Sequence, residues 1–302
     1  MAEDIPFDRS RPEPGQLIPL SPLVRRFVIA NPGPFTFTGT CCYIVGQGRV
    51  TVIDPGPGLD GEAEAILAAL GDETVSQIVV THTHRDHSPG ARRLKALTGA
   101  SISGCAPHWA ARGPAAGEHS MLDASADREH RPDRLMQEGD ILDGAGFRLV
   151  AVETPGHTMN HLCFALPEES ALFSGDHVMA WSTSIVAPPD GSMAAYMASL
   201  EKLRGRPETV FWPGHGGPVS DPQRFVRGLL GHRRMRETSI LAAVRAGTPD
   251  IPSLVDQLYD GLAPQLKGAA ALSVYAHLED LVSQGLIRTD GPPTLDGRYA
   301  AS

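Results

Sequence analysis

Several things are missing from this sequence, and each absence excludes a class of protein. It has no run of the ~18 continuous apolar residues that a membrane span needs. Its start, Met1-Ala2-Glu3-Asp4-Ile5-Pro6, has neither the basic residues nor the apolar stretch of a secretory leader. A cytoplasmic protein with no membrane partner is therefore expected. Cysteine is scarce: Cys41, Cys42, Cys105 and Cys163 contain one adjacent pair and no C-x-x-C spacing. That argues against a disulfide framework and a cysteine-built zinc site, and predicts four reduced, buried thiols. Basic charge is also short, with 26 Lys and Arg against 35 Asp and Glu and a net charge of -9. Such a balance gives no global pull toward nucleic acid or anionic membrane.

What remains is 302 residues with 41% hydrophobic content, enough for a large core and for one large unit with or without a smaller one. Residues 1–22 are rich in proline and charge and read as an extended arm. Strand patterns follow at 24–30, 42–45 and 50–53. Asp60 is expected to cap a helix over 63–70 that ends at Gly71. The apolar run Gln77-Ile78-Val79-Val80 then empties into Thr81-His82-Thr83-His84-Arg85-Asp86-His87. Ser88, Pro89 and Gly99 frame a further helix. From 104 to 137 the signals fade, and His108, His119 and His130 read as surface residues.

The pattern of a strand ending in a polar loop then repeats three times. Residues 147–153 lead to Thr154-Pro155-Gly156-His157-Thr158-Met159-Asn160-His161, residues 171–173 to Ser174-Gly175-Asp176-His177, and residues 209–212 to Pro213-Gly214-His215-Gly216. Four strand ends each present a His or Asp, and glycines at three of them let the backbone turn sharply. Neutral imidazoles and carboxylates crowded in this way call for a cation. His82, His84 and His157 are expected to hold one metal, Asp86, His87 and His215 a second, with Asp176 bridging. Five histidines favour two Zn2+, with Fe or Mn as alternatives. Two such ions about 3.5–4 Å apart can hold a hydroxide that attacks a carbonyl carbon or a phosphorus. Asp86 and Asp176 are the expected catalytic residues, with the leaving group taking its proton from metal-bound water or from Asp86. His161 and His177 are expected to support the ligands or face the substrate. Arg85 is expected to stabilise the loop.

Taken together and in this order, the four motifs resemble the metallo-β-lactamase superfamily over about residues 20–230. The resemblance implies an αββα sandwich with the metals at one edge. It also implies that Asp54 supports the metal loop without binding metal. Asp176 stands where the main zinc β-lactamases carry Cys, so antibiotic hydrolysis is not expected. His84 stands where the oxygen-reducing di-iron branch has Glu. Expected helices at 232–247, 253–259 and 269–283 and a hairpin after Gly285 resemble the small winged-helix domain appended to lactamase-β-like hydrolases. Asn31-Pro32-Gly33-Pro34 and Gly39-Thr40 match the same group. The expected division is thus an arm at 1–22, a catalytic domain at 23–231 and a winged-helix-like domain at 232–302. That last stretch holds seven Lys or Arg and eight Asp or Glu. Double-stranded DNA is accordingly not an expected partner, and a role shaping the site entrance or a homodimer contact is preferred. The expected reaction is hydrolysis of a small ester, thioester or lactone. A single-strand-specific endoribonuclease acting on RNA is the alternative; a persulfide dioxygenase and a non-enzymatic zinc module stand behind both.

Overall fold

The computed structural model describes residues 5–113 and 125–302; His119 lies outside them. The first sheet has seven strands in sequence order: β1 (Leu17–Pro19), β2 (Val24–Val28), β3 (Cys41–Val45), β4 (Arg49–Ile53), β5 (Thr74–Val80), β6 (Ser101–Gly104) and β7 (Arg134–Leu135). The pairs from β1 to β4 are antiparallel and those from β4 to β7 parallel. The β4–β5 and β5–β6 crossovers use α1 (Glu62–Leu70) and α2 (Gly90–Thr98). The second sheet runs β12-β11-β10-β9-β8, from β8 (Ile141–Asp143), β9 (Arg148–Glu153), β10 (Leu162–Leu166), β11 (Ala171–Gly175) and β12 (Val210–Pro213).

Side-chain alternation along the strands builds the layers. In β10, Leu162, Phe164 and Leu166 face the first sheet's apolar residues, while Cys163 and Ala165 face α3 (Met193–Arg204) and α4 (Pro222–Arg245). A strand buried on both faces reads as a continuous apolar run, as Leu-Cys-Phe-Ala-Leu does. Ala63, Ile66, Ala91 and Leu94 bring α1 and α2 onto the first sheet. The result is the αββα sandwich, with both sheets covered on the outside by helices. All four thiols are buried and free, as expected.

Local details differ from the expectations. Gly61, at φ 82°, and not Asp60, occupies the N-cap of α1. Ser88 does not cap α2; its hydroxyl bonds the Asp127 carboxylate at 2.8 Å. The N-terminal arm is laid down on the body: β1 pairs with β2, the Asp8 amide donates to the Ala180 carbonyl at 2.9 Å, and Phe7 meets Phe225 edge-on. Neither His108 nor His130 is a surface side chain. His130 is buried with Nε2 3.2 Å from the Cys105 carbonyl oxygen, and the His108 ring lies between Thr83 and Asp190. The segment 125–130 folds back onto the histidine loop through an Asp127 amide bond to the Thr83 carbonyl, which carries His130 inward.

The C-terminal elements are α5 (Ile251–Leu258), α6 (Lys267–Ser283) and the hairpin β13 (Ile287–Thr289) with β14 (Tyr299–Ala301). They form a separate apolar cluster with Ile240, Ala243 and Val244 of α4. The helix expected to begin at 232 starts ten residues earlier, because Pro222 takes its first turn and the Asp221 carboxylate accepts from the Arg224 amide. Gly231 is interior to it. No helix among the described residues is long and apolar enough to cross a membrane.

Candidate metal centre

The site lies where the polar loops leave β4, β5, β9, β11 and β12. Asp54, at φ 50°, ends β4 in a conformation that non-glycine residues seldom adopt. Its carboxylate accepts from the Thr81 amide at 2.8 Å, the Thr81 hydroxyl at 2.7 Å and His87 Nδ1 at 3.0 Å. Those bonds engage both oxygens, so Asp54 fixes the loop.

Each of the five histidines is tethered through one nitrogen and presents the other to a common centre. His82 Nδ1 reaches the Thr81 hydroxyl at 3.0 Å, and its buried Nε2 has no partner. His84 Nε2 meets the Asp190 carboxylate at 3.0 Å; His157 Nδ1 donates to the Ile185 carbonyl at 2.6 Å, and His215 Nδ1 to that of Gly39 at 3.1 Å. The free nitrogens then face each other: His84 Nδ1 lies 3.0 Å from His157 Nε2, and His87 Nε2 lies 3.2 Å from His215 Nε2. In neutral rings so tethered, these are lone pair against lone pair. A proton or a cation has to lie between them.

Three donor groups result: His82, His84 and His157; Asp86, His87 and His215; and Asp54, His82 and His87. Asp176 lies between the first two. Its Oδ2 is 3.7 Å from His157 Nε2 and 3.4 Å from His215 Nε2, and its Oδ1, otherwise unpartnered, is 3.4 Å from His87 Nε2. Asp86 Oδ2 is 3.2 Å from His215 Nε2. Gly214 makes the approach feasible, since a Cβ there would sit 2.4 Å from Asp176 Oδ1 and 2.6 Å from His87 Cε1.

The electrostatics follow from burial and charge. Burial and the neighbouring rings keep His82 neutral and push His157 down to about 4. The carboxylates Asp176 and Asp86 outweigh burial at His87, raised to about 10, and at His215, also raised well above its usual value. Those imidazoles in turn hold both carboxyls below the normal range against the cost of burial. Without a metal, protons on His87 and His215 would supply positive charge at the centre. The orphaned His82 Nε2 and Asp176 Oδ1, the facing nitrogens and a nitrogen-rich donor set fit divalent cations.

His161 and His177 do not face the centre. His161 Nε2 accepts from the Asp176 amide at 3.2 Å while Nδ1 donates to the Thr154 hydroxyl, so it positions the Asp176 backbone. His177 is buried against the Tyr196 ring at 4.5 Å, and burial pushes it down to about 3. Tyr196 donates to the His177 carbonyl and belongs to the core. Arg85 braces the loop through the Ala126 carbonyl.

Residues 35–215 match the model of the metallo-beta-lactamase superfamily, and residues 251–293 that of the beta-lactamase associated winged helix domain. The chain belongs to the metallo-beta-lactamase superfamily. Superfamily relatives include an atrochrysone carboxyl ACP thioesterase from Cryptosporiopsis sp., 32% identical over 74% of this chain and 64% of its own length. A second of that name, from Aspergillus terreus, is 32% identical over 74% of this chain and 63% of its own. The chain thus spans somewhat less than two thirds of these relatives. A beta-lactamase domain protein from Burkholderia ambifaria shares the fold with a TM-score of 0.79 at 22% identity, covering 99% of this chain and 97% of that one. A metallo-beta-lactamase family protein from Thermus thermophilus gives 0.73 at 24%, covering 94% and 100%.

Sequence reasoning missed Asp190. It is 3% exposed and holds the ring of His84 from the side opposite the centre. Its only local signal is the turn sequence Pro188-Pro189-Asp190-Gly191. A carboxylate in this position fixes the tautomer and raises the basicity of the ring, and its loss commonly costs about 10–100-fold in metal affinity. Asp190→Asn is expected to weaken binding of one cation by that factor while leaving the fold intact. Competition of zinc with a chromophoric chelator measures it, and an unchanged affinity would remove Asp190 from the site.

Proposed function

We propose that the protein is a dinuclear metal-dependent thioester hydrolase, with zinc as the metal, His82, His84 and His157 around one ion, Asp86, His87 and His215 around the other, and Asp176 between them. The two pairs of facing imidazole nitrogens carry this reading, because no arrangement of neutral rings alone satisfies them. When bound, a pair of divalent cations supplies a water nucleophile at neutral pH and a Lewis acid for the carbonyl oxygen.

The chain's own groups do the rest. Asp54, Asp190, Gly39 and Ile185 hold four of the rings at fixed angles. Asp86 is held ionised against burial by the His87 and His215 imidazoles, so at neutral pH it carries no proton for the leaving group and its role is to hold a cation. That favours a leaving group which departs as an anion. A thiol, with a pKa near 8.5, leaves without such help, whereas an alkoxide does not. The thioesterase names of the relatives point the same way. RNA is less well served, since the C-terminal unit has no basic excess. The free thiols suit a reducing, cytoplasmic setting.

The test is a substrate panel on zinc-loaded protein: acyl-N-acetylcysteamine thioesters followed by thiol release, lactones, a phosphodiester and single-stranded RNA. Thioester turnover that disappears with chelation and returns with zinc is expected. Cleavage of RNA with no thiol release would overturn the reading.

A further inference from the structure

A cavity of about 290 Å3 lies beside the metal centre, between the catalytic sandwich and the C-terminal helices. Phe35, Trp181 and Ile185 line it from the sandwich, and Tyr259 and Ala270 from the C-terminal elements. It adjoins the centre on two sides. The Ile185 carbonyl holds His157, and Trp181 packs so closely on Gly216, which follows His215, that a Cβ there would lie 2.9 Å from its ring.

Most of this wall is apolar, yet Arg233 is part of it. That residue is 2% exposed and has no carboxylate partner among the described residues. Its bonds go to the Ser184 carbonyl and, at 3.1 Å, to the Ser273 hydroxyl, and its charge lies 5.2 Å from the centre of the Tyr196 ring. Nε is buried without an acceptor, as are Trp181 Nε1 and His232 Nδ1 in the same wall. A buried cation with an idle donor is costly unless a ligand supplies the missing acceptor. The positive field is felt nearby: with burial, Arg233 and Arg236 push His232 down to about 4 and His277 to about 3, and no carboxylate counters them.

We propose that this cavity receives the acyl part of the thioester, and that it selects an aromatic or alicyclic acyl group bearing a phenolic, enolic or carboxylate oxygen, which accepts from Arg233. The inference rests on the thioesterase reading. The apolar walls take the ring system by burial of area, while the guanidinium discriminates strongly against an analogue without the oxygen, because that analogue leaves the donor unpaired. The thioester carbon, at the near end of the acyl group, then falls toward His157 and Asp176.

The experiment uses the full chain and two variants, Arg233→Met and Ala270→Phe, the second of which fills the cavity without touching a hydrogen bond. Zinc-loaded proteins are assayed with 6-hydroxy-2-naphthoyl and acetyl thioesters of N-acetylcysteamine, and with the corresponding coenzyme A thioesters. Binding of free 6-hydroxy-2-naphthoic acid to metal-free protein is measured by calorimetry. The expected result is that both variants lower the naphthoyl-to-acetyl ratio of kcat/KM at least tenfold on N-acetylcysteamine and weaken binding of the acid by a similar factor. If Arg233→Met does not fold, Ala270→Phe decides alone. Ratios and affinities within twofold of wild type would overturn the proposal. So would a loss confined to the coenzyme A thioesters, which would give the cavity to the phosphorylated carrier arm. A wild-type protein that binds the acid, loses it in the variants and hydrolyses no thioester would refute the thioesterase reading while leaving the cavity's ligand class standing.

Discussion

Asp176→Asn is expected to remove at least one of the two proposed cations and to lower thioester turnover by about 10²–10³-fold, the scale seen when one preorganised polar group is lost from a reacting centre. Asp176 is the carboxylate within 3.7 Å of imidazoles from both donor groups. The amide keeps the volume and one oxygen but removes the charge, and two nitrogen-rich sets cannot share a cation pair at close range without an anion between them. Elemental analysis of the purified variant is the direct measurement. Two cations retained at wild-type occupancy would refute the bridging assignment, whatever happened to the rate.

The second large effect is a reshaping of the pH-stability profile by metal. In the metal-free protein, His87 is raised to about 10 and His215 is raised as well. A group raised in the folded state contributes stability that is fully present below its unfolded pKa of ~6.5 and is lost as pH climbs toward the folded value. His157 and His177, pushed down to about 4 and about 3, act in the opposite sense: their contribution is present above ~6.5 and is lost as pH falls toward those values. Metal-free protein is therefore expected to be most stable near pH 6.5 and to lose several degrees of Tm on either side, since ~1 kcal/mol moves a unit of this size by about 2–4 °C. Bound cations displace the protons on His87 and His215, so zinc should abolish the alkaline fall and release protons on binding at pH 7. Thermal melts from pH 4.5 to 9.5 with chelator or zinc, together with proton release into a weakly buffered indicator, check both. An alkaline fall that zinc leaves unchanged would contradict the assignment.

The residues of the centre were legible because the same local grammar occurs four times: an apolar strand, a small or glycine-flanked turn, then His or Asp. Strand ends in a sheet of this kind gather at one edge, so Asp54, the 82–87 loop, His157, Asp176 and His215 meet although up to 161 positions separate them, as between Asp54 and His215. The sandwich was legible for a related reason, since apolar runs such as 162–166 are understandable only as strands covered on both faces. What stayed hidden is whatever depends on contact between segments with no pattern of their own. Asp190 looks like any turn aspartate until His84 lies beside it. His108 and His130 look like surface residues until Thr83 and Asp190 lie beside the one and Cys105 beside the other. The cavity is formed by elements as distant as Phe35 and Ala270, and Arg233 carries no sign in the sequence that its charge is left unmatched. The sequence pattern suggests a helix only from 232, yet α4 runs unbroken from Pro222 to Arg245, packed against α3 and α6.

That uninterrupted helix has a mechanical consequence. A helix of 24 residues is about 36 Å long, and α4 runs as a single shaft from the sandwich, where Phe225 and Leu229 are anchored, into the C-terminal cluster, where Ile240 and Val244 are anchored. The part of the cavity wall that α4 carries, at His232 and Arg233, is therefore tied to both units by one continuous helix. On the acyl-binding reading proposed above, a stiff molecule fitted to this wall should bind more tightly than a flexible one of the same composition, having less freedom to lose.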